Sequence, residues 1–492
     1  MGSLSKVLVA NRGEIACRIL RTLSRMGIPG VLASHRVDLE SPAARMASEV
    51  AKIEGPTPVA AYLDIDAVVE AARRTGADAV HPGFGFLAEN ASFARRLHEE
   101  GIAFIGPAPE TIELMGDKVR ARSFCMENGF PLAPSVDEAD SGGDFIQRLA
   151  ELGTPILIKA AAGGGGKGMH VVADPAEMED AVRLARAEAL RFFGDAAVYG
   201  ERLVENPRHI EVQVLADAHG NVVHVGEREC SIQRRFQKIV EECPAPGLDA
   251  ESRQRICHTA VEIARRAGYV NAGTVEFLLG PDGHFHFLEM NTRIQVEHPV
   301  TEMVYGLDLV EWQVRVARGE ALTFGQDDLA PHGHAVEARL YAEDPEHGFE
   351  PATGKLLAYR FPEGPGIRIE NGYAKGMEVT AAFDPMLAKL IAHGKDRREA
   401  LTRASGALRD TLVLGVTTNQ DYLARILEHP DFAAGRVHTG FIPDHVDDLR
   451  APPLEARERD LLLAAAALAS REWNDPAFEP PEPYLTIGEW RN

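Results

Sequence analysis

Apolar runs separated by amphipathic stretches set the layout of this chain. Residues 6–10 (KVLVA) read as a buried strand, and the stretch from Asn11 to about Met26 as an amphipathic helix. Further strands are predicted at 28–34, 78–81 and 104–106, with a helical pattern at 65–75. Strands alternating with helices predict a parallel α/β sheet. Residues 110–129 read as helix, 155–159 and 170–172 as strands, and 176–192 as helix. From 209 to 215 polar and apolar residues alternate as in a half-buried strand, with 221–227 as its hairpin partner. Helices follow at 251–268, 309–317, 397–411 and 419–428, and strands at 334–342 and 388–394.

Residues 274–300 (TVEFLLGPDGHFHFLEMNTRIQVEHPV) are the centre of the chemistry. Two β-prone runs, 275–279 and 284–290, flank Gly280-Pro281-Asp282-Gly283, which carries turn signals. Pairing Leu279 with His284 sets Glu276 opposite Phe287 and makes Glu289 its diagonal neighbour, about 7–8 Å away. Two carboxylates converging among apolar residues repel each other and resist burial. A hard divalent cation resolves that conflict, and Mg²⁺ is commonly held by a few carboxylates plus substrate phosphates. Beyond Glu289, the residues Asn291, Arg293, Gln295 and Glu297 alternate, and an extended segment aligns them with Glu289. A metal site, a cation and a spare carboxylate are the parts that phosphoryl transfer needs.

Between the strands at 155–159 and 170–172 lies AAAGGGGKGM. Four consecutive glycines are costly to order and suit a lid hairpin whose bare amides approach phosphate oxygens. The stretch is not a P-loop, because Lys167 is followed by Gly168 rather than Ser or Thr. Residues 229–242 (ECSIQRRFQKIVEE) form a charge run that on its own reads as a solvated face.

Composition narrows the class. At 492 residues, with 45% hydrophobic and 26% charged residues, the chain is an ordinary multidomain globular protein. A formal net charge of −22 argues against a nucleic-acid surface. Cys17, Cys125, Cys230, Cys243 and Cys257 are scattered and form no C-x-x-C pair, which predicts free thiols. No apolar run is long enough to span a bilayer and no targeting segment is evident, so the expected location is the cytoplasm.

Together these motifs resemble biotin carboxylase, the ATP-grasp component of biotin-dependent carboxylases, over roughly residues 4–445. They are VANRGEIACRI from Val9, HPGFGFLAEN from His81, MGDK ending at Lys118 and KAAAGGGGKGM from Lys159. ENPRHIEVQVL from Glu205, ERECSIQRRFQK from Glu227 and EMNTRIQVEHPVTE from Glu289 complete the set. The resemblance implies an α/β and α+β multidomain fold. Residues 1–115 would be a Rossmann-like domain and 116–330 an ATP-grasp domain with a lid at 131–204. Residues 331–447 would be a C-terminal mixed domain and 448–492 a linker or tail.

For the site, the resemblance implies that Lys118 and Lys159 contact ATP phosphates beneath a flap of Gly163, Gly164, Gly165 and Gly166. Glu201 and Leu203 would lie at the adenine hinge, with His209 and Gln233 near the ribose. Glu276, Glu289 and Asn291 would hold Mg²⁺ or Mn²⁺. Lys238, Arg293, Gln295 and the backbone of Val296 would hold bicarbonate, with Glu297 as its base and Arg339 facing biotin. The partners implied are a biotin carboxyl carrier protein or domain, a carboxyltransferase subunit, and a second copy or larger assembly.

Three departures stand out. Phe236 replaces the family's usual His or Asn, and Phe84 and Phe383 replace Tyr. No Ala-Met-Lys-Met biotinylation site occurs, so biotin is expected from outside this sequence. The competing readings are another ATP-grasp ligase forming an acyl phosphate, and a non-catalytic ATP-binding scaffold. The acceptor finally carboxylated is not written in this sequence.

Overall fold

The first apolar run becomes strand β1 (Val7–Val9), fully buried at the centre of a parallel five-stranded sheet. Its neighbours are β2 (Gly30–Ser34), β3 (Glu49–Lys52), β4 (Ala79–His81) and β5 (Ala103–Phe104), in the order β3-β2-β1-β4-β5. The chain passes from β1 into the helix Gly13–Arg25 through Gly13, whose φ of +65° favours a residue without a β-carbon. Asn11 Nδ2 donates to the carbonyls of Pro82 and Phe84, both at 2.7 Å. This ties the loop after β1 to the loop after β4, at the carboxyl ends of the strands where ligand loops of such sheets gather.

The computed structural model describes residues 4–139, 143–161, 169–452 and 455–469. Two units are distinguished, residues 1–449 and 450–492. The second contains the helix Ala456–Ala469, whose Leu461, Leu462 and Leu463 are exposed. Among the described residues, no helix is long and apolar enough to cross a membrane. Instead of one helix over 110–129 there are two, Pro109–Gly116 and Lys118–Glu127. Asp117 breaks them: its backbone is extended and its side chain caps the second by accepting from Arg120 N.

Strands β6 (Ser135–Asp137), β7 (Ile156–Ala160), β8 (His170–Val172) and β9 (Val198–Arg202) form a four-stranded sheet in the order β6-β9-β7-β8. β7 and β8 pair antiparallel, as the lid hairpin requires. The predicted phosphate flap, Gly163 to Gly166, lies outside the described residues.

An eight-stranded sheet carries most of the candidate site. It contains β10 (Arg208–Ala216), β11 (Val222–Arg234), β12 (Gln237–Cys243), β13 (Asn271–Leu279), β14 (Phe285–Asn291), β15 (His334–Tyr341), β16 (Ile367–Asn371) and β17 (Met386–Gly394). The order is β14-β13-β10-β11-β12-β15-β17-β16. The helix Ala250–Arg266 packs over β10 and β11, burying Ile256, Ala260 and Ile263.

The central hairpin differs from the sequence expectation in its register. Gly280 N donates to His284 O, and Gly283, at φ +78°, closes the loop with its N–H on Gly280 O. Leu279 therefore pairs with Phe285 rather than His284. A bulge then leaves Leu288 without a partner, so Glu276 lies directly opposite Glu289 instead of opposite Phe287. Such a bulge is invisible to an alternation count.

Candidate active site

β10 supplies the floor of the site. Its alternation sends Ile210, Val212 and Val214 into the core and leaves His209, Glu211 and Gln213, also buried, on the other face. Register brings Glu211 opposite Glu276 on β13 and Arg228 on β11, while Glu276 faces Glu289 on β14. Directly opposed side chains have β-carbons about 4.5–5.5 Å apart, so carboxylates from three strands converge.

Lys238 of β12 is their shared cation. Its Nζ lies 2.5 Å from Glu211, 2.8 Å from Glu276 and 2.8 Å from Glu297. Burial opposes its charge, but the three carboxylates hold its pKa well above the ordinary lysine value. Glu276 is saturated by donors. One oxygen faces His209 Nε2 at 2.6 Å, and the other accepts from Lys238, Asn291 at 2.8 Å and Gln295 at 2.5 Å. Burial raises its pKa, yet Lys238 and His209 outweigh burial and hold it below the usual carboxylate range.

Glu289 is in the opposite condition. Burial first, and then the charge of Glu276, push its carboxyl up, and it has no hydrogen-bond donor among the described residues. Two opposed carboxylates and a nearby carboxamide form an all-oxygen set of the type that hard cations take. His209, Glu211 and Glu276 also bring one donor atom each within 4.8 Å of one another. The donors fit Mg²⁺, whose charge would relieve Glu289. Asn291 is more constrained than expected, because its Oδ1 accepts from Arg293 at 2.8 Å.

The segment from 292 to 297 is not the extended run that alternation predicts. It bends and turns after β14, and Glu297 immediately precedes the helix His298–Tyr305. Its polar residues converge nonetheless through side-chain contacts. Gln295 accepts from Arg228 at 2.6 Å while donating to Glu276. The Val296 carbonyl accepts from Lys389 at 2.7 Å, which fixes the turn ahead of Glu297. Glu297 is held between two cations, with Lys238 on one oxygen and Arg339 Nη2 at 3.0 Å on the other. Burial raises its pKa, but Lys238, Arg339 and Arg228 bring it well below the ordinary carboxylate value. It is therefore held as an ionised carboxylate, and it gains the basicity to accept a proton only as Lys238 or Arg339 moves off its oxygens. Arg339 also approaches Glu241 at 2.5 Å.

On the lid side, Lys159 at the end of β7 is buried and paired with Glu201, which also accepts from Arg122 at 3.1 Å. Both side chains predicted to face the nucleotide are thus joined to each other. Leu203 follows β9, and its amide donates to Pro155 O at 2.9 Å. Lys118 starts its helix close enough for its charge to lower the Glu289 carboxyl. Gln233 Nε2 lies 2.7 Å from His209 Nδ1, so the two predicted ribose neighbours are in contact.

Several residues of the site were not singled out from the sequence. Arg228 is fully buried and donates to Glu211, Gln213, Thr274, Gln295 and Thr301. It immediately precedes the charge run at 229–242 and lies in the motif from Glu227, where no role was assigned to it. Glu211 was visible only as a polar position in the β10 alternation. Glu89, next to the loop after β4, holds Arg293 at 3.0 Å and accepts from Thr292 N at 3.0 Å. The departures are also placed. Phe236 is exposed at the β11–β12 tip with φ +67°, Phe84 packs against the core behind β1, and Phe383 lies over the Arg12 guanidinium, 3.8 Å from centroid to carbon. That last contact gives an aromatic ring a use without its hydroxyl.

Comparison with known proteins gives the same picture. Residues 3–112 match the biotin carboxylase N-terminal domain, 117–324 the carbamoyl-phosphate synthase L chain ATP-binding domain, and 337–444 the biotin carboxylase C-terminal domain. The chain is 46% identical over 440 residues to biotin carboxylase of a Nostoc species, covering 89% of this chain and 98% of the relative. It is 44% identical to the mitochondrial methylcrotonoyl-CoA carboxylase subunit alpha of Dictyostelium discoideum, covering 99% of this chain and 70% of that subunit. A solved biotin carboxylase domain dimer of Hydrogenobacter thermophilus 2-oxoglutarate carboxylase, in complex with MgADP, ADP and bicarbonate, superposes with a TM-score of 0.89. It is 41% identical and covers 92% of this chain and all of that one. With near-complete coverage of a relative and three consecutive domain matches, this chain belongs to the biotin carboxylase family.

Proposed function

We propose that this chain carboxylates the ureido nitrogen of carrier-bound biotin, using ATP and hydrogencarbonate, as a component of an acyl-CoA carboxylase. The observation that carries this reading is the position of Glu297 between Lys238 and Arg339, beside the opposed pair Glu276 and Glu289.

Bringing hydrogencarbonate to ATP means bringing two anions together. Lys238 and Arg293, with Gln295 and the amide of Val296, hold hydrogencarbonate and offset that repulsion. Glu297 takes the proton of hydrogencarbonate, whose oxygen then attacks the γ-phosphorus; the bond from that phosphorus to the β–γ bridging oxygen breaks, and ADP leaves to give carboxyphosphate. Lys118 and Lys159 contact the phosphates, and the latter must exchange its Glu201 partner to do so. Glu201 and Leu203 lie at the adenine hinge, and His209 and Gln233 beside the ribose. Glu276 and Glu289, with Asn291, would hold Mg²⁺, which neutralises charge on the phosphates when bound. Carboxyphosphate breaks to CO₂ and phosphate, and the phosphate removes the ureido proton. Arg339 stabilises the resulting biotin anion, as an oxyanion donor does.

Biotin comes on a carrier protein or domain, and the carboxyl group leaves through a carboxyltransferase. The subunit-alpha names of the relatives support that assembly. We place the reaction in the cytoplasm, a reducing and ATP-supplied compartment compatible with five free, buried cysteines.

The test is ATP cleavage measured with and without hydrogencarbonate and biotin. Wild type is expected to depend on both, and Glu297→Gln to lose the hydrogencarbonate-dependent rate by about 10²–10⁴-fold. Turnover indifferent to biotin would instead favour an ATP-grasp ligase acting on another carboxylate.

A further inference from the structure

Behind Arg339 the eight-stranded sheet buries another pair of carboxyls. Glu241 on β12 and Glu337 on β15 are direct partners in the antiparallel register, and both are fully buried. Among the described residues, none of their four oxygens has a properly aligned hydrogen-bond donor. The cations nearby are committed. Arg339 approaches Glu241 at an angle unsuited to a hydrogen bond and donates to Glu297. Lys389 on β17, opposite Arg339, donates to the Val296 carbonyl and pairs with Glu14 at 3.1 Å. Lys238 is shared by Glu211, Glu276 and Glu297. Among the described residues, no cation forms an ion pair with Glu337.

Glu241 has the charge of Arg339 beside it, but Glu337 has neither an ion-paired cation nor a donor among the described residues, and a second anion facing Glu241 at this depth is strongly unfavourable. One proton between them removes the conflict, because a neutral carboxyl gains a donor that its neighbour can accept. We propose that Glu337 is a positioning residue held as the neutral acid. Its O–H donates to Glu241, and Glu241 so fixed sets the angle of Arg339 toward Glu297 and biotin. This inference rests on the biotin-facing role given to Arg339.

The surroundings agree with the geometry. Burial pushes the Glu337 carboxyl well above its ordinary value; Lys389 and Arg339 pull it down, and Glu241 and Glu297 push it up. Burial also raises Glu241, to about 7, against Arg339 and Lys238 and with Glu297. Tyr341 and Asp384 complete the polar groups around Arg339. Glu337 is therefore the member of the pair that keeps its proton once Glu241 ionises.

The test is an infrared difference spectrum of the full chain, wild type minus Glu337→Gln, above the Glu241 pKa of about 7. A carbonyl band of a protonated carboxylic acid is expected from wild type and absent from the variant. In Glu241→Gln the band is expected to persist but shift, because its acceptor becomes an amide. Kinetics supply the second readout. The carboxamide introduced by Glu337→Gln can donate as the hydroxyl does, so that variant is expected to keep kcat/KM for biotin within about threefold. Glu337→Leu has no donor and is expected to lower it about tenfold or more, a larger factor than for ATP. Absence of the acid band, or equal kinetics for the Gln and Leu variants, would overturn the proposal. Wild-type turnover that ignores biotin would overturn the enzymatic reading instead, and the band separates the two failures.

Discussion

Glu289 and Glu276 face each other across one strand pair in opposite electrostatic conditions. Glu276 is surrounded by His209, Lys238, Asn291 and Gln295, whereas Glu289 is raised by burial and by Glu276. Removing the Glu289 charge should therefore weaken a divalent cation directly while leaving the hydrogen-bonded side of the site in place. Glu289→Gln is expected to raise the Mg²⁺ concentration for half-maximal ATP cleavage by about tenfold or more. An unchanged Mg²⁺ titration would remove Glu289 from the metal set. At this scale alternation grouped Glu276, Glu289 and Glu297, and the structure does bring them near one another, whereas Lys238 sat in a run that reads as a solvated face and entered only through the resemblance. The sequence was not readable for Arg228 and Glu337, whose importance comes from partners 67 residues or more away in the chain or on an adjacent strand. A buried guanidinium with five partners has the same letter as a solvated one.

Elements were legible where an apolar run or an amphipathic period was unbroken, whatever its length. The helix Leu309–Ala317 and the strand His170–Val172 have the bounds that pattern predicts. The central hairpin was legible as a hairpin but not in register, since its loop closes on Gly280–His284 with Gly283 at positive φ, and the bulge at Leu288 follows Phe287, whose N–H donates to the distant Pro131 carbonyl. The bulge is what turns a diagonal carboxylate pair into a facing one. Close approach between elements was equally hidden. A β-carbon on Gly372 would run into the backbone of Gly13 and Glu14, at the start of the helix Gly13–Arg25. Gly372→Ala should push that helix start away and disturb the Glu14–Lys389 pair. The expected cost is about 1–3 kcal/mol in denaturant unfolding. A variant as stable as wild type would show that the two segments can separate freely.

The whole unit of residues 1–449 is joined by buried charge as well as by apolar cores. Arg18, near the N-terminus, pairs with Glu302 and Asp308 at 2.7 Å each, and Arg368 pairs with Glu302 at 2.8 Å and Glu370 at 2.7 Å. One network thereby links segments that match three separate domain families. Burial raises the Glu302 carboxyl, but Arg18 and Arg368 bring it below its ordinary value. Arg18→Met leaves these acids with an uncompensated charge and is expected to cost about 3–5 kcal/mol of unfolding free energy. The loss should be smaller in acid than at neutral pH: Glu302 has a depressed pKa, so its stabilisation exists above the ordinary carboxylate range and disappears as pH falls through the folded value. A penalty that does not vary with pH would assign Arg18 to packing alone. None of this wiring was visible in the overall charge of −22, which counts letters without their neighbours.

The threefold clasp on Lys238 has a consequence for how turnover begins. An ammonium already encircled by Glu211, Glu276 and Glu297 has little attraction left over for a stray anion. Chloride wandering in would have to dislodge a carboxylate and, carrying no proton, could give nothing back. On the function proposed above, hydrogencarbonate differs because it would surrender a proton to Glu297, the side chain it displaces. On that proposal the vestibule would act as a turnstile, yielding to a visitor able to discharge Glu297 and so limiting futile spending of ATP.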